Sequence, residues 1–344
     1  MSLMKVAQIS HPGGDFEVVE RQIVEPQRNQ VRVRVEACGI CHGDVFVKEG
    51  LWPGIKYPRI PGHEIAGYID KVGEGVTTWQ EGQRVGVGWH GGHCFQCEPC
   101  LQGDFSNCQN SLVTGIDYDG GYAEYTVVPT SSLASIPDEF NSIEAAPLLC
   151  AGMTTFNALR NSGARGGDIV AVQGVGGLGH LAIQFASKLG FKTVAISRGQ
   201  HKETLARKLG AAYYIDTESV NAAEALTRMG GAKAIIATAP NSKAISALVD
   251  GLAVNGKLLV VGATGEPLEV SPFHLIKGRK SIQGWHSGNA KDSEETLSFC
   301  LLSQIRPMIE TFTLENVSEA YNFMLHNRAR FRVVLKMFNN RTLA

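Results

Sequence analysis

From Asp168 onward the chain alternates short apolar runs with helix-like segments, and this rhythm constrains the fold more than any other feature. The runs DIVAVQGV, KTVAIS, AAYYID, AKAIIATA and GKLLVVGA are spaced as the strands of a parallel sheet. In the first intervening segment Leu178, Leu181, Ala182, Phe185 and Leu189 fall on one face at helical spacing, as a helix covering a sheet requires. The expectation is an α/β, doubly wound parallel-sheet domain.

The junction of the first strand with that helix reads GVGGLG, with Gly174, Gly176, Gly177 and Gly179. Alone the pattern is a common accident. Between a strand and a helix it lets backbone approach a pyrophosphate at the positive helix end, which points to a dinucleotide. In NAD enzymes an acidic residue usually closes the second strand and binds the adenosine ribose. Here Ser197 takes that place, followed by Arg198 and, a turn later, Lys202. A 2'-phosphate would meet cations there, so NADP(H) is preferred and NAD(H) remains possible.

Before about residue 150 the pattern is mainly β, as in VRVRVEACGI, where Val31, Val33 and Val35 alternate with polar residues. After KSIQGW, SEETLSFCLLSQ and VSEAYNFMLHN read as helices and RFRVVLK as a final strand returning to the first domain. Two domains suit 344 residues. The opening MSL, ahead of a second methionine, reads as an expression scar outside the fold. Lys and Arg number 32 against 33 Asp and Glu, which argues against nucleic acid and membrane surfaces as partners. With no secretion signal or apolar span, a cytoplasmic protein is expected.

Eight cysteines in such a chain suggest metal binding or catalysis more than disulfides. Cys94, Cys97, Cys100 and Cys108 form C-x2-C-x2-C-x7-C, a spacing that suits closed tetrahedral zinc ligation; an iron-sulfur cluster or unconnected cysteines stay open. With four thiolates engaged the ion would stabilise a loop. His93 beside them reads as a surface residue, and Cys300 in LSFCLL as core.

Cys41 in CGICHGD, His63 in PGHE and Cys150 in LLCAG are weak signals singly. Taken in order with the four-cysteine loop and GVGGLG, they resemble the medium-chain zinc-containing alcohol dehydrogenase family over essentially the whole chain. The resemblance implies a β-rich GroES-like catalytic domain over residues 1–150 and 286–344 and a Rossmann cofactor domain over 151–285. Cys41, His63 and Cys150 would hold a catalytic zinc, two cysteines and one histidine being the known set of alcohol dehydrogenase. The four-cysteine loop would hold a structural one. Cys38 is excluded by the family pattern, which assigns the second cysteine of CGIC. Asp44 and Glu64 would orient His63 and tune the metal, and Glu64 could approach it. Surface charge is the alternative for both carboxylates.

His42 and Arg332 would contact the pyrophosphate. Trp52 and Trp89 match positions of bulky pocket walls, with core packing as the alternative. Glutamate stands at the place of Cys150 in the polyol branch, so primary alcohols and aldehydes, small or aromatic, are favoured over polyol or secondary-alcohol substrates. One departure stands out. Gly43 occupies the place of the serine or threonine that begins the family's proton relay, and Glu49 aligns with the histidine that completes it in some relatives. Restoring Gly43→Ser is expected to raise turnover if proton transfer is limiting. A low-turnover, zinc-stabilised dinucleotide-binding protein is the rival reading, supported only by Gly43. Relatives of this length imply a homo-oligomer, a tetramer or dimer.

Overall fold

The computed structural model describes residues 2–262 and 265–338 and divides the chain into two compact units, Met1–Met153 with Ser287–Ala344, and Thr154–His286. In the first, β1 (Leu3–Ile9) and β2 (Phe16–Gln22) form a hairpin in which Leu3 faces Gln22. The Ser2 carbonyl accepts a hydrogen bond from the Ile23 amide. Ser2 and Leu3 are thus part of the fold, which corrects their exclusion from it; Met1 lies outside the described residues.

The frame of this unit is β3 (Gln30–Ile40). Val31, Val33 and Val35 are fully buried, as the alternation predicts. At Ala37–Ile40 the alternation gives way to burial of every residue. The others are β4 (Ile65–Val72), β5 (Arg84–Val87), β6 (His90–Gly92), β7 (Leu112–Val113), β8 (Tyr125–Pro129) and β9 (Leu133–Ser135). β6 and β7 pair separately.

The second unit contains β10 (Ile169–Gln173), β11 (Lys192–Ser197), β12 (Tyr213–Asp216), β13 (Ala232–Ala237), β14 (Leu252–Val260) and β15 (Ser281–Gly284). All pair in parallel, in the order β12-β11-β10-β13-β14-β15. Counted from the first strand this is 3-2-1-4-5-6, the Rossmann arrangement. The helix Gly179–Lys188 buries Leu181, Ala182 and Phe185 completely, together with Ile183 and Ala186.

The chain then returns to the first unit through the helix Ala290–Ser303, β16 (Ile309–Thr313), the helix Val317–Leu325 and β17 (Arg332–Lys336). The sequence reading gave no strand for IETFT. Its five residues are only half-buried or exposed and carry no clean alternation, and what makes them a strand is parallel pairing with β17. β17 lies against β3, completing the order β16-β17-β3-β4-β5-β9, with β8 also on β3. Cys300 is fully buried in the helix Ala290–Ser303. Among the described residues no helix is long and apolar enough to cross a membrane.

Candidate active site

Three separate segments of the first unit converge on one buried point. β3 ends at Ile40, and Cys41 caps the turn His42–Asp44, its amide held by Asp44 Oδ2 at 2.8 Å. His63 and Glu64 lead directly into β4. Cys150 sits in a widened π turn, Leu148–Gly152, a local distortion that re-aims a side chain and recurs at functional sites. Cys41 Sγ lies 3.8 Å from Cys150 Sγ, and Cys150 Sγ 3.5 Å from His63 Nε2. With a carboxylate oxygen of Glu64, these donor atoms all fall within 4.8 Å of one another.

The electrostatics suit a cation. The hydrogen bond with Cys150 holds the Cys41 thiol well below its usual range, against burial, and pushes Cys150 upward. Burial raises Glu64 to about 7, opposed by the Arg332 charge. Among the described residues Glu64 Oε2 is buried and has no hydrogen-bond partner, so Arg332 leaves one acceptor of this carboxylate that a further cation could answer. Two thiols, an imidazole and a carboxylate are a borderline-soft donor set of the kind zinc takes. Gly39 must be glycine here, since a Cβ would overlap Glu64 Oε2.

Asp44, read as an orienting carboxylate, lies with Oδ1 3.1 Å from His63 Nδ1. That contact fixes the ring and leaves Nε2 facing the sulfurs. Arg332 is buried, with Nη2 paired to Glu64 and donating to the Ile40 carbonyl at 3.3 Å. The structure thus ties one arm of its guanidinium to Glu64, a contact the sequence reading did not anticipate. His42 is exposed next to Cys41.

Gly43 stands where it does for a steric reason. A Cβ there would lie 2.8 Å from Trp89 Cζ3 and 3.0 Å from His63 Cε1. The Trp89 ring meets the His63 ring edge-on at 4.8 Å, and Trp52 and Phe46 pack on it at 5.9 and 6.4 Å. These three aromatics make a wall beside the metal cluster, and Phe46 was not foreseen because its place depends on the turn after Cys41. A serine at Gly43, expected from the sequence to restore a relay, would have to displace the Trp89 ring or His63. Glu49 is not brought to the cluster either. It is exposed, 3.8 Å from Lys48 Nζ.

Cys94, Cys97, Cys100 and Cys108 form a second cluster within 4.8 Å. The amides of Cys94 and Asn110 donate to Cys108 Sγ, each at 3.3 Å, and the Cys97 amide to Cys94 Sγ at 3.4 Å. Amide donors stabilise thiolate charge. Hydrogen bonds from the Gln96 and Cys97 amides and the Asn110 side chain lower Cys94 to about 6. His93 is not the surface residue expected. It is half-buried, stacked on Phe105 at 4.2 Å and in contact with His90 at 3.0 Å.

In the second unit the glycine turn links β10 to the helix Gly179–Lys188. Gly174 has φ +97°, and a Cβ on Gly179 would run into the Gly174 carbonyl, while Gly176 faces open space. Gly177 completes the turn. Ser197 is buried at the end of β11, Arg198 is exposed, and Lys202 Nζ reaches back to the Val175 carbonyl at 3.3 Å. Burial, then the Arg198 charge, lower the Lys202 pKa. Two unforeseen residues hold this loop: Asp216 accepts from the Gly199 amide at 2.8 Å, and Tyr214 Oη donates to the Gly199 carbonyl at 2.6 Å. Both come from β12, so only strand pairing reveals them.

A sulfur-rich set of metal-ligating side chains on one unit and a Rossmann sheet in the other are the features of the zinc-dependent dehydrogenases. Residues 27–138 match the alcohol dehydrogenase GroES-like domain and residues 177–301 the zinc-binding dehydrogenase domain. The chain is 45% identical to the alcohol dehydrogenase patD of Penicillium expansum, over 98% of each protein. Among solved structures, it resembles a cinnamyl alcohol dehydrogenase of Sorghum bicolor at a TM-score of 0.87 and 30% identity, covering 97% of this chain and 98% of that one. A CAD from Helicobacter pylori, complexed with NADP(H), gives 0.87 and 29% over the same shares. The chain therefore belongs to the medium-chain zinc-containing alcohol dehydrogenase family. It is an alcohol dehydrogenase working with zinc and a nicotinamide cofactor.

Proposed function

We propose that the enzyme interconverts small or aromatic primary alcohols and their aldehydes with NADP(H) in preference to NAD(H), using one catalytic and one structural zinc. Residues 1–150 and 286–344 would carry the metals and 151–285 the cofactor. The carrying observation is the convergence of Cys41, His63 and Cys150, with the Trp89 ring 4.8 Å from that of His63.

Cys41, His63 and Cys150 would hold the catalytic ion, with Glu64 in reach as a further oxygen donor, and the four-cysteine cluster would hold the structural one. The catalytic ion supplies Lewis acidity to the substrate oxygen when bound. Asp44 keeps His63 oriented, and Arg332 limits the charge that Glu64 brings to the buried site. Trp89, Trp52 and Phe46 supply an apolar, flat-sided wall that favours planar substrates and excludes water from one side of the site. Gly43 offers no hydroxyl, so this side of the site passes no proton through a side chain at that position. The glycine turn would receive the pyrophosphate at the helix start, and Arg198 with Lys202 the 2'-phosphate. The NADP(H) complex of the Helicobacter protein and the name of the Sorghum one support the cofactor and aromatic-alcohol readings.

The test is the initial rate of reduction of acetaldehyde, benzaldehyde and cinnamaldehyde by zinc-replete protein with NADPH and with NADH. Faster turnover with NADPH and with the aromatic aldehydes is expected. An NADH preference would overturn the cofactor reading alone, and no turnover on any aldehyde the substrate reading.

A further inference from the structure

Residues 119–122, DGGY, belong to neither metal motif, yet all four bond to the segment that delivers His63. Asp119 Oδ1 accepts from Arg59 Nη1 at 2.9 Å and from the Ile60 amide at 3.2 Å. The amides of Gly120, Gly121 and Tyr122 donate to the carbonyls of Ile60, Gly62 and Pro61 at 2.7, 2.9 and 3.0 Å. Gly62, immediately before His63, has φ +101°, and a Cβ on it would lie 2.5 Å from the Tyr122 ring. The ring therefore rests directly on the backbone that presents the imidazole.

The other end of Tyr122 reaches the second metal segment. Its hydroxyl, in a fully buried side chain, donates to Asp44 Oδ2 at 2.8 Å. The same oxygen accepts the Cys41 amide at 2.8 Å, while Oδ1 faces His63 Nδ1 at 3.1 Å. Two donors on Oδ2 stop the carboxylate rotating, so Oδ1 stays on Nδ1 and the Nε2 lone pair stays aimed at the sulfurs. Without the hydroxyl, Oδ2 would keep one donor and the carboxylate could turn.

We propose that Tyr122 is a positioning residue for the catalytic metal site, acting through Asp44 to hold His63 toward Cys41 and Cys150. The proposal rests on the assignment of zinc to that triad. Removing a group that orients a metal ligand typically costs about 10–100-fold in metal affinity, and Tyr122 stands one bond further out, so an effect of about 10-fold is expected.

The experiment measures zinc transfer from the zinc-replete full chain to a chromophoric chelator. Wild type should release two zinc ions per chain in two kinetic phases, and the phase abolished by Cys41→Ser belongs to the triad. Tyr122→Phe, which keeps the ring, should accelerate that phase about 10-fold and leave the other unchanged. In an Asp44→Asn background the same substitution should add less than about 2-fold, since the two changes act on one path. Wild-type rates in both phases would overturn the proposal even if the melting temperature fell, because the hydroxyl would then be purely structural. Equal acceleration of both phases, or a full 10-fold effect persisting in Asp44→Asn, would also overturn it. A wild type releasing only the four-cysteine zinc would instead sink the triad assignment and the proposal with it.

Discussion

Placing a side chain at Gly43 tests how the metal site and the aromatic wall are fitted together. A methyl group there would sit 2.8 Å from Trp89 Cζ3 and 3.0 Å from His63 Cε1, where carbon atoms prefer about 3.5–4.0 Å. Something must move by roughly 0.5–1 Å. The indole is braced by Trp52 and Phe46, and the imidazole by Asp44, so neither yields freely. Overpacking of this kind costs about 1–3 kcal/mol. A displacement near 1 Å at reacting groups costs about 100-fold in rate. Gly43→Ala and Gly43→Ser are therefore both expected to lower kcat/KM for benzaldehyde by about 10–100-fold, despite the hydroxyl that serine restores. Steady-state kinetics on zinc-replete protein measures this, and Trp89→Leu, which removes the crowded ring, should recover much of the loss in Gly43→Ser. If Gly43→Ser matches or exceeds wild type with Trp89 intact, the steric reasoning is wrong and a missing relay is the better account of Gly43.

Arg198→Ala is expected to raise KM for NADPH about 10-fold, the scale of one charge-assisted phosphate contact, while KM for NADH stays within about 2-fold. Equal changes for both cofactors would remove Arg198 from phosphate recognition. Cys108→Ser should release one zinc per chain, measurable by elemental analysis, and lower the melting temperature. Retention of two zinc ions would show that the four cysteines do not share a metal.

Much of the site was legible because ligand chemistry is local in sequence. The four cysteines fall within 15 residues, and a glycine turn between a strand and a helix carries its meaning in its spacing. Cys41, His63 and Cys150 could be linked only by resemblance, since nothing in their separation says that they meet. Phe46, Tyr122, Tyr214 and Asp216 escaped notice for the same reason. Each acts on a partner brought near by folding, and a lone aromatic or aspartate has no distinctive pattern. His93 was misread because the stack that half-buries it is made by Phe105, beyond the three cysteines that follow it.

The sequence alone determined the parallel sheet, the glycine turn and the four-cysteine loop, since period, turn chemistry and close ligand spacing are properties of contiguous residues. Tertiary structure decided what depends on distant atoms meeting. It made IETFT a strand by offering β17 as a partner, and it tied Arg332 to Glu64. It also brought the Trp89 ring against Gly43, where a Cβ would come within 2.8 Å of it. These outcomes follow from burial and close packing, which act between surfaces and leave no fixed spacing in the chain.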